Sequence, residues 1–590
     1  MEKIKNMLLV TTALKETWGK DEEILFLGEW CKTYKDKKIL EKRRYKTLPY
    51  NWDNREQFFL DVKYLDELYE KILPKLGAKL NKIHKTNHSV RFWRISIGIW
   101  LGFFLQILFQ RWMSINNATR DYPIKNTVLL SSENDCQIPN DMADFSHLML
   151  NDLWNYHIFC EILKFQKKIN FQYIPSSLNF KKITFKEHKN RFKFGLNFFL
   201  IRISNLFYKL STIKNNLFFI GTSLSILDEI KLHLRFHQVP KFNRSEFLDE
   251  VNVNKKMRQW TLDNHATSEF ESFLNVVIPL QLPAAYLEGY EFLNIKLNNL
   301  SWPKFPKLIF TSNSHIYDDL VKFWIASKVD KGSLYVLGQH GGGPLHFVNF
   351  QIAHELSTCD RYFSTGSGNN FHNKIIDVGQ FFKKKWKHNS NGKGLLIQLV
   401  ELRYFYNLIS MPHSSDFTTY QNEQFQFMKL LRPDIRKDFI VRLNKGSNNL
   451  KNMWKDSFPD VTINDGKKSI YHLFSQSKLN VCTYAGTTYN ESIAANAPTI
   501  IFWNAKYTQM HETSALFFEK LRCVGIFHDT PESAARHINA IWNNINFWWM
   551  SREVQEARII FAKQYCYPAD NILDRIEHSM RGLIDTANRL

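Results

Sequence analysis

Short apolar runs ending in small-residue turns alternate with helical segments along this chain, and that alternation restricts the fold more than any other feature. Residues 307–311 (KLIFT) read as a strand, 316–328 as a helix and 333–338 (SLYVLG) as a second strand, which meets the spacing of a βαβ crossover. A second series follows: a strand at 394–400, a helix around 420–431, a strand at 438–443 and a helix near 470–477. It continues with a strand at 479–483, a helix at 489–495 and a strand at 498–502. Upstream, 8–12 (LLVTT) opens the chain as a strand followed by a loop and the helix-like stretch 22–31, and 217–221 with 225–236 forms another strand and helix. Helical spacing dominates 56–85, and the chain turns helical again after His528. Strands alternating with helices build parallel sheets covered on both faces, so the expected class is α/β: two Rossmann-like domains in series, helical insertions in the first half and a helical C-terminal tail.

At 590 residues the chain is long enough for several folding units. The clearest composition break is QFFKKKWKHNSNGKG at 380–394, where lysine, asparagine, serine and glycine replace the apolar pattern. The expected division is therefore a first domain over 1–380, a linker at 381–394, a second domain over 395–545, and tail helices over 546–590 packing back on the first domain. With 44% hydrophobic and 23% charged residues the chain is neither disordered nor a polytopic membrane protein. The most apolar stretch, 95–109, is flanked by Arg94 and Arg111 and contains Ser96 and Gln106; it falls short of the roughly 20 residues of a typical span. A buried core helix is the main expectation for it, a re-entrant or interfacial segment the alternative. The apolar run at 7–10 is too short for a signal-peptide core, and seven scattered cysteines show neither C-x-x-C nor zinc-ligand spacing. A reduced, cytoplasmic setting follows as the expectation.

Seventy-eight basic residues against 57 acidic ones give a net charge of +21, which attracts anionic partners. No zinc-finger pattern, RNP motif or heptad-linked basic region is present, so nucleic acid is not an expected partner. Between 181 and 214 nine lysines and arginines stand against one acid, Glu187, interleaved with phenylalanines. Such a basic aromatic segment suits the anionic inner face of the cytoplasmic membrane, and equally suits a helix with one core face and one solvated face.

The sequence lacks a Walker-A motif, a G-x-G-x-x-G after the first strand, an H-E-x-x-H and a D-x-D pair. Kinase, dinucleotide-oxidoreductase and zincin chemistries lose their support, and a transferase here is not expected to use a carboxylate-bound metal. Two motifs remain. Gly338-Gln-His-Gly-Gly-Gly343 follows a strand, where glycines let the backbone approach an anion and His340 can donate to phosphate or act as acid or base near neutral pH. A plain glycine-rich turn with a hydrogen-bonded histidine would look the same; His346, His354 and Glu355 either join it or continue a helix. Thr483-Tyr-Ala-Gly-Thr-Thr-Tyr-Asn-Glu491 runs from a strand into a helix whose free amides and dipole suit phosphate. Thr487 or Thr488 can donate to phosphate and Glu491 can accept from sugar hydroxyls; ordinary capping, with Thr488 as cap and Glu491 three residues on, is the alternative.

These two motifs in this order resemble the GT-B glycosyltransferases. The chain is more closely similar to a family of transferases encoded in bacterial O-antigen and surface-polysaccharide clusters, through Thr17-Trp18, Phe26-Leu-Gly-Glu-Trp-Cys31, Trp93-Arg94 with Gly98 and Trp100, Gly338-Gln-His-Gly341, and Tyr484–Glu491 with Pro498-Thr499. Over 307–503 it also resembles capsule-polysaccharide and teichoic-acid polymerising transferases. The resemblance implies two Rossmann-like domains facing a cleft, metal-independent transfer, no cofactor, a nucleotide-activated donor in the C-terminal domain and a lipid-linked or growing-glycan acceptor at the N-terminal one; inverting transfer is the expected outcome, retaining the alternative. It places Arg442 and Asn444 near donor phosphates and Tyr484, Gly486, Thr487, Thr488 and Glu491 around the nucleotide sugar, with His340, Gly341 and Gly342 facing them from the N-terminal domain. Where the capsule enzymes carry His-Pro this chain has Leu443-Asn444. A CMP-activated ulosonic acid is the donor this resemblance suggests. Glu16, Asp21 and His340 are the candidates for the base on the acceptor hydroxyl. Transfer of a polyol phosphate or other non-sugar group, or a non-catalytic GT-B-like scaffold of an envelope-glycan complex, are the alternative functions.

Overall fold

A computed structural model describes residues 7–131, 137–175, 196–211, 215–243, 248–262, 265–342, 349–366, 372–381, 386–409 and 411–589. The chain is α/β with parallel sheets and forms two compact units that interleave in sequence. Unit 1 comprises Met1–Gly221, Gln238–Tyr335 and Arg403–Leu408; unit 2 comprises Thr222–His237, Val336–Leu402 and Ile409–Leu590.

In unit 1, strands β1 (Met7–Val10), β2 (Ile24–Phe26), β3 (Tyr45–Thr47), β4 (Ile124–Ser131) and β5 (Phe171–Pro175) pair in parallel in the order β3-β2-β1-β4-β5. A further parallel pair joins β6 (Leu217–Phe219) and β7 (Leu308–Thr311). Two long helices, Arg55–His84 and Val90–Asp121, are inserted between β3 and β4. Asn54 starts the first by accepting from the Glu56 and Gln57 amides, and Ser89 starts the second by accepting from Phe92. The helix Val90–Asp121 is long and apolar enough to cross a membrane, yet its most apolar window is 94% buried within the protein. It packs on Arg55–His84 and on the helix Asp319–Val329, so the 95–109 run is a core helix. Near its end lies Arg111, fully buried, whose guanidinium donates to Asn155 Oδ1 at 2.8 and 3.0 Å and to the Phe405 carbonyl at 3.0 Å. Burial pushes its pKa down to about 10. These bonds, with Gln106 Oε1 accepting from the Leu408 amide, tie the excursion Arg403–Leu408 into unit 1.

Unit 2 carries β8 (Leu334–Gly338), inside which the division between units falls, with β9 (Arg361–Ser364) and β10 (Ile375–Asp377) paired beside it in parallel. Its main sheet has six parallel strands: β11 (Lys393–Ile397), β12 (Phe439–Arg442), β13 (Thr462–Asn464), β14 (Ser477–Cys482), β15 (Thr499–Phe502) and β16 (Phe527–His528). Their order, β13-β12-β11-β14-β15-β16, is the doubly wound 3-2-1-4-5-6 arrangement counted from β11.

The expected division at 380 was sequential, whereas 336–380 and the whole of 381–394 fall in unit 2. Hydrogen bonds explain the placement. The Tyr565 carbonyl accepts from Thr365 Oγ1 at 2.9 Å and the Tyr567 carbonyl from the Gln380 amide at 2.8 Å, so the tail meets the strands that precede 381. Trp386, in the expected linker, stacks on Phe474 at 4.6 Å. The last helix, Ile572–Arg589, holds Arg235 through Asp574 and Glu577.

Candidate functional site

Ligands of doubly wound sheets bind outside the carboxyl ends of the strands, where the strand order reverses. In unit 2 that point lies between β11 and β14. Ile397, the last residue of β11, pairs with Arg442 on one side and Cys482 on the other, so the segments after both strands emerge beside it. Thr483 Oγ1 fastens the exit of β14 by donating to the Ile397 carbonyl at 2.9 Å, and it also bonds the Tyr420 hydroxyl at 2.7 Å.

From there the chain turns through Tyr484, Ala485 and Gly486 into the helix Thr487–Ala494. This helix buries Tyr489 and Ile493 among Trp503, Phe518 and Phe561. Each such burial contributes roughly 1.5–3 kcal/mol, which fixes the rotation of the helix and leaves Thr487, Thr488 and Glu491 partly exposed. Gly486 is the N-cap and no side-chain hydrogen bond caps the end, so the capping role considered for Thr488 is not the one it plays. Thr488 Oγ1 is buried against the Cys482 thiol and the Tyr484 phenol. Glu491 Oε1 accepts from the Tyr471 hydroxyl at 2.8 Å; burial first, then the Glu491 charge, pushes that phenol's pKa up. At the end of β12, Arg442 Nη1 donates to Asn444 Oδ1 at 3.2 Å while its Nε is buried and unpartnered. Asn444 thus engages this guanidinium through its side-chain oxygen. Burial raises the pKa of the Tyr484 phenol, opposed by the positive charge of Arg442. Burial pushes the Cys482 thiol up to about 12, which keeps it protonated and unreactive.

The glycine-rich turn after β8 meets this helix. Its Gln339 is a bracket: the side chain accepts from the Thr365 amide at 3.1 Å and donates to the Gly341 carbonyl at 2.9 Å. Gly341 has φ +78°, a left-handed conformation that favours glycine. The Gly342 amide donates to Thr487 Oγ1 at 3.3 Å, and Asn490 Nδ2 donates to the Gly342 carbonyl. A Cβ on Gly342 would collide with the Asn490 amide, so a larger residue here requires that side chain to move. A small cleft runs between turn and helix, lined by Gln339, Gly341, Gly342, Thr365, Thr487, Asn490 and Glu491. His340 is exposed at this turn.

The two motifs are therefore brought together within unit 2, and His340 does not face the helix from a separate N-terminal domain as expected, because the chain from Val336 onward belongs to unit 2. Gly343 and His346 lie outside the described residues, as do 181–195 and 212–214 of the basic segment. His354 and Glu355 are buried on the helix Phe350–Thr358, and Gln351 donates to Glu355, so they belong to the helix core. Glu16 and Asp21 lie in unit 1, exposed in the segment that follows β1. Also at that end of β1, Asp152 accepts from Arg403, from the Tyr404 hydroxyl and from the Ala13 amide. Among the described residues no group of three or more His, Cys, Asp or Glu side chains is placed to hold a metal. Sequence reasoning missed Asn490, Gln339 and Tyr471. The spacing of Asn490 from Thr487, one helical turn, was the available signal for the first.

Several solved structures are similar to the chain. MurG from Acinetobacter baumannii matches at 10% identity over 62% of this chain and 100% of its own, with a TM-score of 0.31. The wall teichoic acid polymerase TagF matches at 9% identity over 65% of this chain and 93% of its own, TM-score 0.29. WaaG, a glycosyltransferase involved in lipopolysaccharide biosynthesis, matches at 12% identity over 62% and 99%, TM-score 0.29. No curated protein sequence matches significantly. Residues 7–579, nearly the whole chain, match a single family model, and the protein belongs to the LIC12162 family of transferases.

Proposed function

We propose that the protein is a GT-B-type, inverting glycosyltransferase that moves a sugar from a nucleotide-activated donor to a lipid-linked or growing surface-glycan acceptor. The observation that carries this reading is the helix Thr487–Ala494, without a side-chain cap, standing at the switch point of a doubly wound sheet with a glycine turn docked on its first residues. Such a helix end presents amides and a positive dipole to phosphate. Arg442, oriented by Asn444, adds a full positive charge, and the Thr487 and Thr488 hydroxyls add donors. In the transfer, the acceptor oxygen bonds to the anomeric carbon as the bond to the donor phosphate breaks. The acceptor proton passes to a base, and negative charge grows on the leaving phosphate, where fixed donors are worth most. Arg442 and the helix amides take the place a metal would otherwise fill, so no cofactor or metal is required. Glu491, Tyr484 and Gly486 face the nucleotide sugar; Gly341 and Gly342 approach the phosphates. His340, Glu16 and Asp21 remain the candidate bases, and the resemblance to capsule enzymes favours a CMP-ulosonic acid as donor.

The acceptor chemistry suits a cytoplasmic enzyme held peripherally at the inner face of the cytoplasmic membrane. Leu206, Phe207 and Leu210 on the helix Leu196–Leu210 are exposed at 57%, 64% and 75%, and that helix bears no acid, which supports this placement. Donor turnover against CMP-, UDP-, GDP- and CDP-linked compounds in the presence of EDTA tests the proposal. Turnover of one donor, abolished by His340→Ala or Glu491→Ala, is the expected result; turnover untouched by both substitutions would remove the site.

A further inference from the structure

We propose that Asn490 is a positioning residue: together with Thr487 it docks the turn that carries His340 onto the helix Thr487–Ala494, making turn and helix one rigid cradle at the phosphate end of the site. The inference rests on the donor-site reading above. Both backbone groups of Gly342 are engaged by that one helix, its amide by Thr487 Oγ1 and its carbonyl by Asn490 Nδ2. Thr487 and Asn490 are three residues apart and so share a helix face. Upstream, Gln339 closes the other side by bonding the Gly341 carbonyl and the Thr365 amide. His340 therefore sits between two fixed stretches of backbone, Gln339 on one side and Gly342 on the other.

Stability alone does not account for the amide at 490. Asn490 is 1% exposed and its Oδ1 is buried without a hydrogen-bond partner, a cost of about 1–3 kcal/mol that a close-packed apolar side chain would avoid. What the amide supplies is a donor aimed at the Gly342 carbonyl. Because Thr487 Oγ1 accepts from Gly342, its own proton is left to donate elsewhere, and the helix end and the ligand are the directions that docking leaves for it.

The test is hydrogen–deuterium exchange of the full-length protein over 338–342, combined with diethyl pyrocarbonate modification of His340 with and without inorganic pyrophosphate. Asn490→Asp keeps the shape but sets a carboxylate oxygen against the Gly342 carbonyl. At neutral pH the turn is expected to exchange about tenfold faster than in the native protein, and pyrophosphate protection of His340 to be lost. On acidification the carboxylate introduced by Asn490→Asp takes up a proton and regains a donor, so the exchange difference should close, whereas Asn490→Leu should show it at every pH. Thr487→Val gives a second, independent release of the turn should the Asn490→Asp variant fold poorly. Unchanged exchange in both Asn490→Asp and Thr487→Val, or identical pH behaviour of Asn490→Asp and Asn490→Leu, would overturn the docking role. Faster exchange with His340 unprotected by pyrophosphate even in the native protein would keep the docking and overturn the phosphate-site reading instead.

Discussion

Thr488 separates a capping helix start from a ligand-binding one. A cap removed costs about 1 kcal/mol, but Gly486 holds the N-cap position and the buried Thr488 hydroxyl lies against the Cys482 thiol and the Tyr484 phenol instead of capping the helix. Thr488→Val is therefore expected to leave thermal stability unchanged or higher while weakening nucleotide affinity, both read in one thermal-shift series. Arg442→Ala is expected to lower donor turnover by about 10²–10³-fold, the usual loss when one fixed donor to a developing charge is removed. The strand end at Arg442 and the helix start at Thr487 were legible in the sequence because strand ends and hydroxyl-rich helix starts are local patterns, while a phosphate role for Arg442 came only from the family resemblance. Asn490 and Gln339 were not legible in the same way: their partners, the Gly342 carbonyl and the Thr365 amide, depend on which strand ends the sheet places side by side.

Among the elements, the helix Val90–Asp121 shows how far apolar content alone carries. Its length suits a membrane as well as a core; burial of 94% of its most apolar window within the protein decides between them. Phe104→Ala, at a position with no exposure, is expected to cost about 3–5 kcal/mol in denaturant unfolding, as a cavity in a packed core does. The helix Arg55–His84 carries a pH signature at its end. Burial lowers the pKa of His84 to about 4, its Nε2 lying 3.0 Å from the Tyr286 carbonyl and its ring stacked on Tyr290. A histidine whose folded pKa lies below its unfolded value of about 6.5 stabilises the fold above that value and loses the contribution as pH falls toward 4. The full loss is roughly 3 kcal/mol, and His84→Gln should flatten the stability profile between pH 6.5 and 4. The strands of the 3-2-1-4-5-6 sheet were largely legible because four-residue apolar runs between turns have few other uses. Edge strands such as β13 (Thr462–Asn464) were not, since three partly exposed residues carry no apolar run.

For the whole molecule, the net charge of +21 and the exposed apolar face of the helix Leu196–Leu210 bear on where the protein works. Flotation with anionic vesicles is expected at low salt and lost at high salt, because screening shortens surface attraction to about 10 Å at 0.1 M. Leu206→Asp with Phe207→Asp should abolish it; binding that survives both changes would place the contact elsewhere. The interleaving of the two units was the least legible feature, because lysine-rich composition at 381–394 marks an exposed loop as readily as a link between domains, and the stacking of Trp386 on Phe474 is a tertiary contact. The central claim is that the switch point of unit 2 holds the phosphate of a nucleotide without a metal. Calorimetric titration of CMP, CDP, UDP and GDP into the native protein and Arg442→Ala, in EDTA, measures it most directly. One nucleotide binding at one site per chain, with affinity lowered at least about tenfold in Arg442→Ala, is the expected result. No binding by any of the four, or equal affinity in the two proteins, would contradict it.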